Sequence, residues 1–496
     1  MKHWLGQFSL KEEHEKTPIH LLKLIAIYSE ERKMSRFLKV LFPIVMIIAL
    51  LSINLGSTPD TSEARAAIEV RIFVGVGTGY RAEQQDAQNA LADQWNAEHE
   101  DIKVIFEFHD NTTARDELLT RVAAGDPPAI VGPAGVRSIY ETSNLWADIG
   151  DLIDRDAADL NLADFDTASF DIYKLGDKRI AVPLGVYPSM MFVNETLFNE
   201  AGVELPPLEY GAWTWDDVRD LGMQLTRDAN GVYLGEAGFD PEKIEVFGYD
   251  PFWANFRRSF ELFSPADAGV AIDGDTVTAT FNQEAMVQAC EWYHQGIYVD
   301  HFVPDADTDT AIGTGVSNPF ASGRFAMGVS HTWMLGQGMK DAVVAGFADD
   351  WNVYPVPTAP NGVTTAPIHA DTFAVMAGYA HREEAWQVLK WLTSPDVSLV
   401  LNQVYGAMPA RLSIRSEWEA AMLDLFPQLD FDVIYSALNY LDAPNHEGYM
   451  PNYAKAWDTL ERFWGDLRAD PELDCQPALG NLNAEMQIIF NEKTAE

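Results

Sequence analysis

Cysteine is nearly missing from this 496-residue chain, which has two, Cys290 and Cys475. Neither follows an apolar run, so neither is placed to carry a lipid, and their spacing is not that of a zinc site. Two readings stay open: a single disulfide, which an oxidising compartment permits, or two buried thiols. Basic residues are also scarce. Lys and Arg number 34 against 75 Asp and Glu, a formal charge of −41. Such a surface repels nucleic acid and anionic lipid, which excludes a nucleic-acid partner. The signatures of catalysis are missing too: no His-Glu-x-x-His, no Gly-x-Ser-x-Gly turn and no cysteine in a catalytic setting. The histidines are scattered along the chain, so no metal set and no cofactor motif is read from them. There is no internal repeat, no low-complexity tract and no long Ser/Gly linker.

What is present begins with an export segment. Arg36 and Lys39 precede twelve apolar residues, Val40–Leu51, and Ala64-Arg65-Ala66 has the small-x-small form of a cleavage site. The order favours a cleaved signal peptide over an anchor running on through Ile53 and Leu55. Residues 1–33 fit no export scheme, so Met34 is the expected start, and 1–66 are set aside from the fold as extension plus signal or anchor. The remainder is long enough for two or three domains, and 47% of the whole chain is hydrophobic, enough for a large core.

Ile68–Val74 alternates as a strand does, Ala82–His99 has helical periodicity, and Ile102–Phe108 is a second strand. Ala114–Ala124 reads as a helix stopped by Gly125, and Ala129–Val131 as a short buried strand. Strand and helix in alternation imply an α/β fold with a parallel sheet. Arg179–Gly185 and Met190–Asn194 are strand-like, but Pro183 and Gly185 are out of place in one central strand. Thr214 and Asp217 form a capping box, and Ser394-Pro395-Asp396 is a second helix start.

Several motifs fail on inspection. Gly75-Val-Gly-Thr-Gly79 lacks the sixth-position glycine of a dinucleotide loop, where Tyr80 stands. Asp305-Ala-Asp307-Thr-Asp309 opens like a calcium loop, but Thr310 and Val316 replace the glycine and the glutamate that such a loop needs, so a turn or helix start is the expectation. Carboxylates are too abundant for any pair to specify a glycosidase. The aromatics say more. Tyr80, Tyr187, Tyr249, Phe252, Trp253, Trp333, Tyr449, Tyr453 and Trp457 lie in stretches punctuated by Gly, Pro and Asn. A flat ring suits the C–H face of a sugar. Asp250, His331, His369, Asp371, Asn445 and Asn452 nearby are able to bond hydroxyls.

Leu118–Pro128, Ile180–Pro183, Phe192–Phe198, Thr214–Asp217, Phe320–Met327, Ala385–Pro395 and Gly406–Ala410 together resemble, in order, the extracellular solute-binding proteins of ABC importers. The likeness is to the sugar-binding family that includes maltose-binding protein. It covers about residues 67–412 and is loose over 413–496. It implies two α/β lobes of periplasmic-binding-protein type II with a ligand cleft between them. Lobe 1 would comprise 67–185 and 370–410, and lobe 2 would comprise 186–369 and 411–496. The chain would cross near Pro183–Tyr187, Ile368–Asp371 and Pro409–Ser413.

The resemblance also implies a function without catalysis. A sugar or oligosaccharide would be captured outside the cytoplasm by a monomer and handed to a membrane permease. Ligand contacts would come from Trp333 above all, with Tyr80, Tyr187, Asp250, Trp253, His331, His369, Asp371 and Asn452. Gly77–Tyr80 and Gly132–Val136 would be contact loops; the second has no Trp or acid, unlike maltose-binding protein. A polyamine or other small solute, a secreted glycoside hydrolase and an anchored sensor are the alternatives.

Overall fold

The computed structural model describes residues 66–492, apart from short internal stretches at 166, 253–255, 264–268, 275, 315–317 and 443–444. The export segment Val40–Leu51, the expected start at Met34 and Trp253 lie outside the described residues.

Strand β1 (Ile68–Val74), helix α1 (Ala82–Glu98), β2 (Ile102–Phe108), α2 (Ala114–Ala123) and β3 (Ile130–Gly135) follow the sequence reading closely. β1 pairs in parallel with both β2 and β3, which is why helices must carry the chain between them. Gly125, at φ +76°, takes the left-handed turn after α2. Helix α3 (Val136–Glu141) starts directly after β3.

The stretch that looked like two strands is one. β4 (Ala181–Asn194) is 14 residues long and buried throughout. Gly185 is there for a close approach: a Cβ would fall 2.3 Å from Asn402 Oδ1 and 2.6 Å from the Ala407 Cβ. Pro183 lies at a slip in register with the neighbouring strand, where an absent N–H breaks no regular ladder.

Next come α4 (Trp215–Leu225), β5 (Ile244–Asp250), α5 (Phe256–Glu261), α6 (Glu284–Tyr298) and β6 (Phe325–His331). They are followed by β7 (Trp351–Tyr354), β8 (Ile368–Val375), α7 (Arg382–Leu392), α8 (Pro395–Tyr405) and β9 (Met408–Pro409). The chain closes with α9 (Tyr453–Ala469) and α10 (Cys475–Asn491).

β4 changes partners half-way. Up to Pro188 it pairs antiparallel with β8, and β9 lies against Val186 and Gly185. From Ser189 onward it pairs with β6, and β7 lies along Met191–Asn194. One strand therefore joins a half-sheet β2-β1-β3-β8 to a half-sheet β6-β5. The buried apolar residues form two clusters, and Trp333 packs against both.

Local details decide between earlier readings. Thr214 accepts from Asp217 N, and the Asp217 carboxylate accepts from Thr214 N, completing the capping box. Asp305 caps helix Ala306–Gly313 by accepting from Thr308 N, so the calcium-like stretch is a helix start. Ser394 does not cap α8; its hydroxyl donates back to Trp391 O in the preceding helix. Cys290 of α6 and Cys475, the first residue of α10, form a disulfide with Cα atoms 5.8 Å apart. Among the described residues no helix is long and apolar enough to cross a membrane.

Candidate functional site

The partner change in β4 puts the ends of several elements at one place. Around it is a cavity of about 190 Å³ lined by Thr78, Gly135, Arg137, Tyr187, Trp333, His369, Ala370, Asp371 and Glu447. Gly135 ends β3 and Thr78 lies in the loop after β1, on the C-terminal side of the strands where ligands sit in open α/β sheets. Tyr187, His369 and Asp371 come from β4 and β8, and Trp333 follows the end of β6.

Side-chain contacts also join elements of the two halves. Arg81 Nη1 lies 2.6 Å from Asp341 Oδ2, and Lys340 Nζ lies 2.9 Å from Glu83 Oε2. Tyr140 stacks on Tyr453 at 6.4 Å between centroids. The Arg137 guanidinium lies 4.4 Å over the Trp457 ring. A small cavity lined by Trp333, Tyr187 and polar side chains where the two half-sheets meet is suited to holding a small solute.

Comparison with known proteins agrees with that geometry. The family of bacterial extracellular solute-binding proteins matches residues 79–398. The chain belongs to this family. An uncharacterised lipoprotein of Streptomyces antibioticus is 24% identical over 356 residues, 71% of this chain and 72% of that one. A Listeria monocytogenes ABC substrate-binding protein in complex with cycloalternan superposes with a TM-score of 0.68 at 17% identity, over 86% of this chain and 100% of that one. Mycobacterium tuberculosis UgpB in complex with glycerophosphocholine gives 0.63 at 16% identity, over 88% of this chain and 98% of that one. The solute-binding protein thus has the two-lobed α/β fold.

Of the nine residues singled out from sequence, the cavity gathers four: Trp333, Tyr187, His369 and Asp371. His331 is fully buried beneath them, its ring stacked on His369 at 3.5 Å. Asp250 is also buried; its Oδ1 accepts from Phe252 N, which ties down the turn after β5. Tyr80 stays in the loop after β1, where its carbonyl accepts from Gln85 Nε2. Asn452 is elsewhere: its amide donates to Ile489 O and Glu492 O, closing the C-terminal end of α10. Tyr249 and Phe252 belong to the core, because they sit on and just after the buried strand β5. Tyr453 and Trp457 are helical residues of α9, held between the lobes.

Thr78 and Gly135 belong to the two loops already read as contacts, but Arg137 and Glu447 were not foreseen. Glu447 stands in the polar turn Asn445-His-Glu-Gly448, whose density of side-chain donors and acceptors is the signal that was available.

Electrostatics at the cavity follow from burial. Asp371 is pushed up to about 6 by desolvation, against the Tyr187 hydroxyl that donates to its Oδ2 at 2.7 Å. Tyr187 is raised well above its ordinary value, by burial first and Asp371 next. His331 and His369 are lowered well below theirs, again by burial first, then by neighbouring histidines and Arg258. Burial, with Asp309 next, raises Asp250 as well.

Proposed function

We propose that this solute-binding protein captures a small hydroxylated solute of the sugar class beneath Trp333 and delivers it to the membrane permease of an ABC importer. The carrying observation is the cavity itself: one indole shared by both cores, with Tyr187, Asp371, Thr78, Arg137, His369 and Glu447 around it. An indole stacks on the C–H face of a pyranose while hydroxyl, carboxylate and guanidinium groups bond its hydroxyls. At about 190 Å³ the cavity is smaller than the ~300–1,000 Å³ of drug-sized sites, so it suits one ring more than a long chain. The Listeria neighbour's cycloalternan complex supports the sugar class. The residues act by binding, not by bond cleavage. Export through Val40–Leu51 would place a monomer outside the cytoplasm, free or held by that segment near its permease.

A second reading is a cationic solute such as a polyamine. Asp371 and Glu447 both line the aromatic cavity, and an ammonium is attracted to carboxylates and to an indole face. Arg137 in the same lining opposes it. Thermal shift against sugars, polyols and polyamines separates the two. A solute at a hundred times its dissociation constant adds about 2.7 kcal/mol of stability. Trp333→Ala is expected to abolish the shift given by the matching solute. A full shift in that variant moves the site elsewhere, and product formed from a sugar overturns the binding role.

A further inference from the structure

We propose that His369, His446 and Glu447 form a divalent transition-metal site at the floor of the cleft. The residues come from β8 and from the polar stretch Asn445–Gly448, 77 positions apart for the two histidines. His369 Nε2 lies 3.1 Å from His446 Nε2 and 3.4 Å from Glu447 Oε1. Ligands of a tetrahedral ion at about 2.0–2.1 Å are separated by roughly 3.3 Å, so His369 Nε2 already stands at ligand spacing from both partners. Two imidazoles and a carboxylate suit zinc and its first-row neighbours.

The surroundings fit. Asp442 Oδ2 accepts from His446 Nδ1 at 2.8 Å. That places the His446 proton on Nδ1 and leaves Nε2 with a lone pair, the arrangement in which a carboxylate orients a metal-bound histidine. Without an ion, His369 Nε2–H donates into that lone pair in the tautomer set by Asp442; binding an ion moves that proton to Nδ1 and turns the two rings, now 18° from parallel, so that both lone pairs converge on it. His369 and Glu447 also line the solute cavity, so the remaining coordination position faces it.

His331 is the third histidine of the group, with ring nitrogens of all three within 4.8 Å of one another. Its ring is nearly parallel to that of His369, at 11° and 3.5 Å. A metal lies in the plane of the ring it binds, so the two cannot share an ion as they stand. His331 Nδ1 accepts from Arg258 Nη1 at 3.1 Å, and its buried Nε2 has no hydrogen-bond partner. His331 therefore backs the site without ligating. Asp371 and Glu447 line the same cavity and Asp442 holds the far side of the His446 ring, while Arg258 contacts His331 and Arg257 donates to Gly448 O at 3.1 Å. The balance accommodates a cation.

The test uses the chain purified without a polyhistidine tag, stripped with EDTA and titrated with zinc or cobalt(II) chloride in the absence of any solute. The expected result is one ion per chain and a cobalt spectrum of tetrahedral type. His446→Gln and Glu447→Gln should each weaken binding by more than about 100-fold, and Asp442→Asn by about 10–100-fold. Two independent ligand variants guard against one that fails to fold, and circular dichroism of the stripped proteins checks each. Sub-stoichiometric uptake, or unchanged uptake in both ligand variants, overturns the site. Because no solute is present, failure here leaves the solute reading untouched, and a silent solute panel leaves the metal count untouched.

Discussion

The two lobes are built on different principles. In the lobe of β1, β2 and β3, β1 pairs with β2 one helix on and with β3 after a second helix. In the lobe of β5 and β6, the core is completed by the end of the chain. α9 and α10 return to cover α5 and α6, and Cys475 reaches back 185 residues to Cys290. Asn483 Oδ1 and Gln487 Oε1 of α10 accept from Phe281 N and Ala279 N. The first lobe starts from local contacts and is completed by β8, α7 and α8 from later in the chain. The second must close a long loop before those contacts form, and loop closure is an entropic cost.

The largest test of this contrast is the disulfide. Closing a loop of 185 residues stabilises by about 5 kcal/mol in the chain-entropy treatment, with measured losses of about 2–5 kcal/mol. Cys290→Ser combined with Cys475→Ser should lose that amount in guanidinium unfolding. Hydrogen exchange should accelerate in α6, α9 and α10 and stay slow in β1–β3. Uniform acceleration would break the comparison, since it would mean that the tail braces both lobes equally.

The next effect sits where the lobes meet. Asp371 is buried and pushed from 3.8 up to about 6, chiefly by desolvation. Between those values the folded state binds the proton better than the unfolded state, so stability falls as pH rises through the window. A shift of about two units corresponds to about 3 kcal/mol. Asp371→Asn removes the titration, and its stability should exceed that of the parent by more at pH 7 than at pH 4. His331 and His369 act in the opposite sense. Their folded values are lowered, so they favour folding above about 6.5 and lose that contribution as pH falls. A variant with the slope of the parent would show that Asp371 is solvated in solution.

The same contrast governs what the sequence reveals. β1 through β3 were legible because alternation and helical period act over a few residues, and strands with a single crossover between them leave few topologies. Pro183 and Gly185 looked out of place in one central strand because they answer to contacts made by β8 and Asn402, far along the chain. Trp333, Tyr187, His369 and Asp371, which line the cavity, were singled out as aromatics and hydroxyl-bonding groups in irregular stretches, and the resemblance added weight to Trp333. His446 and Glu447 were missed because no spacing links them to His369; only the fold does. Asn452 was misplaced for the converse reason. It has the polar surroundings of a contact loop, but its amide is spent on the end of α10.

The smallest test asks whether local signals still carry energy in the lobe that depends on its tail. Thr214 closes a reciprocal capping box with Asp217 at the start of α4. Thr113 occupies the equivalent position before α2 in the other lobe, but makes no side-chain cap bond; its hydroxyl turns to Glu117 and Asp110 at the surface. Thr214→Ala should therefore cost about 1 kcal/mol, because an orphan N–H at the helix start loses its acceptor. Thr113→Ala should stay within about 0.5 kcal/mol of the parent. Both are read from urea midpoints at constant slope. Equal, small effects would mean that α4 is held by the packing of Trp215, Val218 and Leu225 alone. A larger loss at Thr214 would mean that the second lobe needs its local helix start as well as its distant ties.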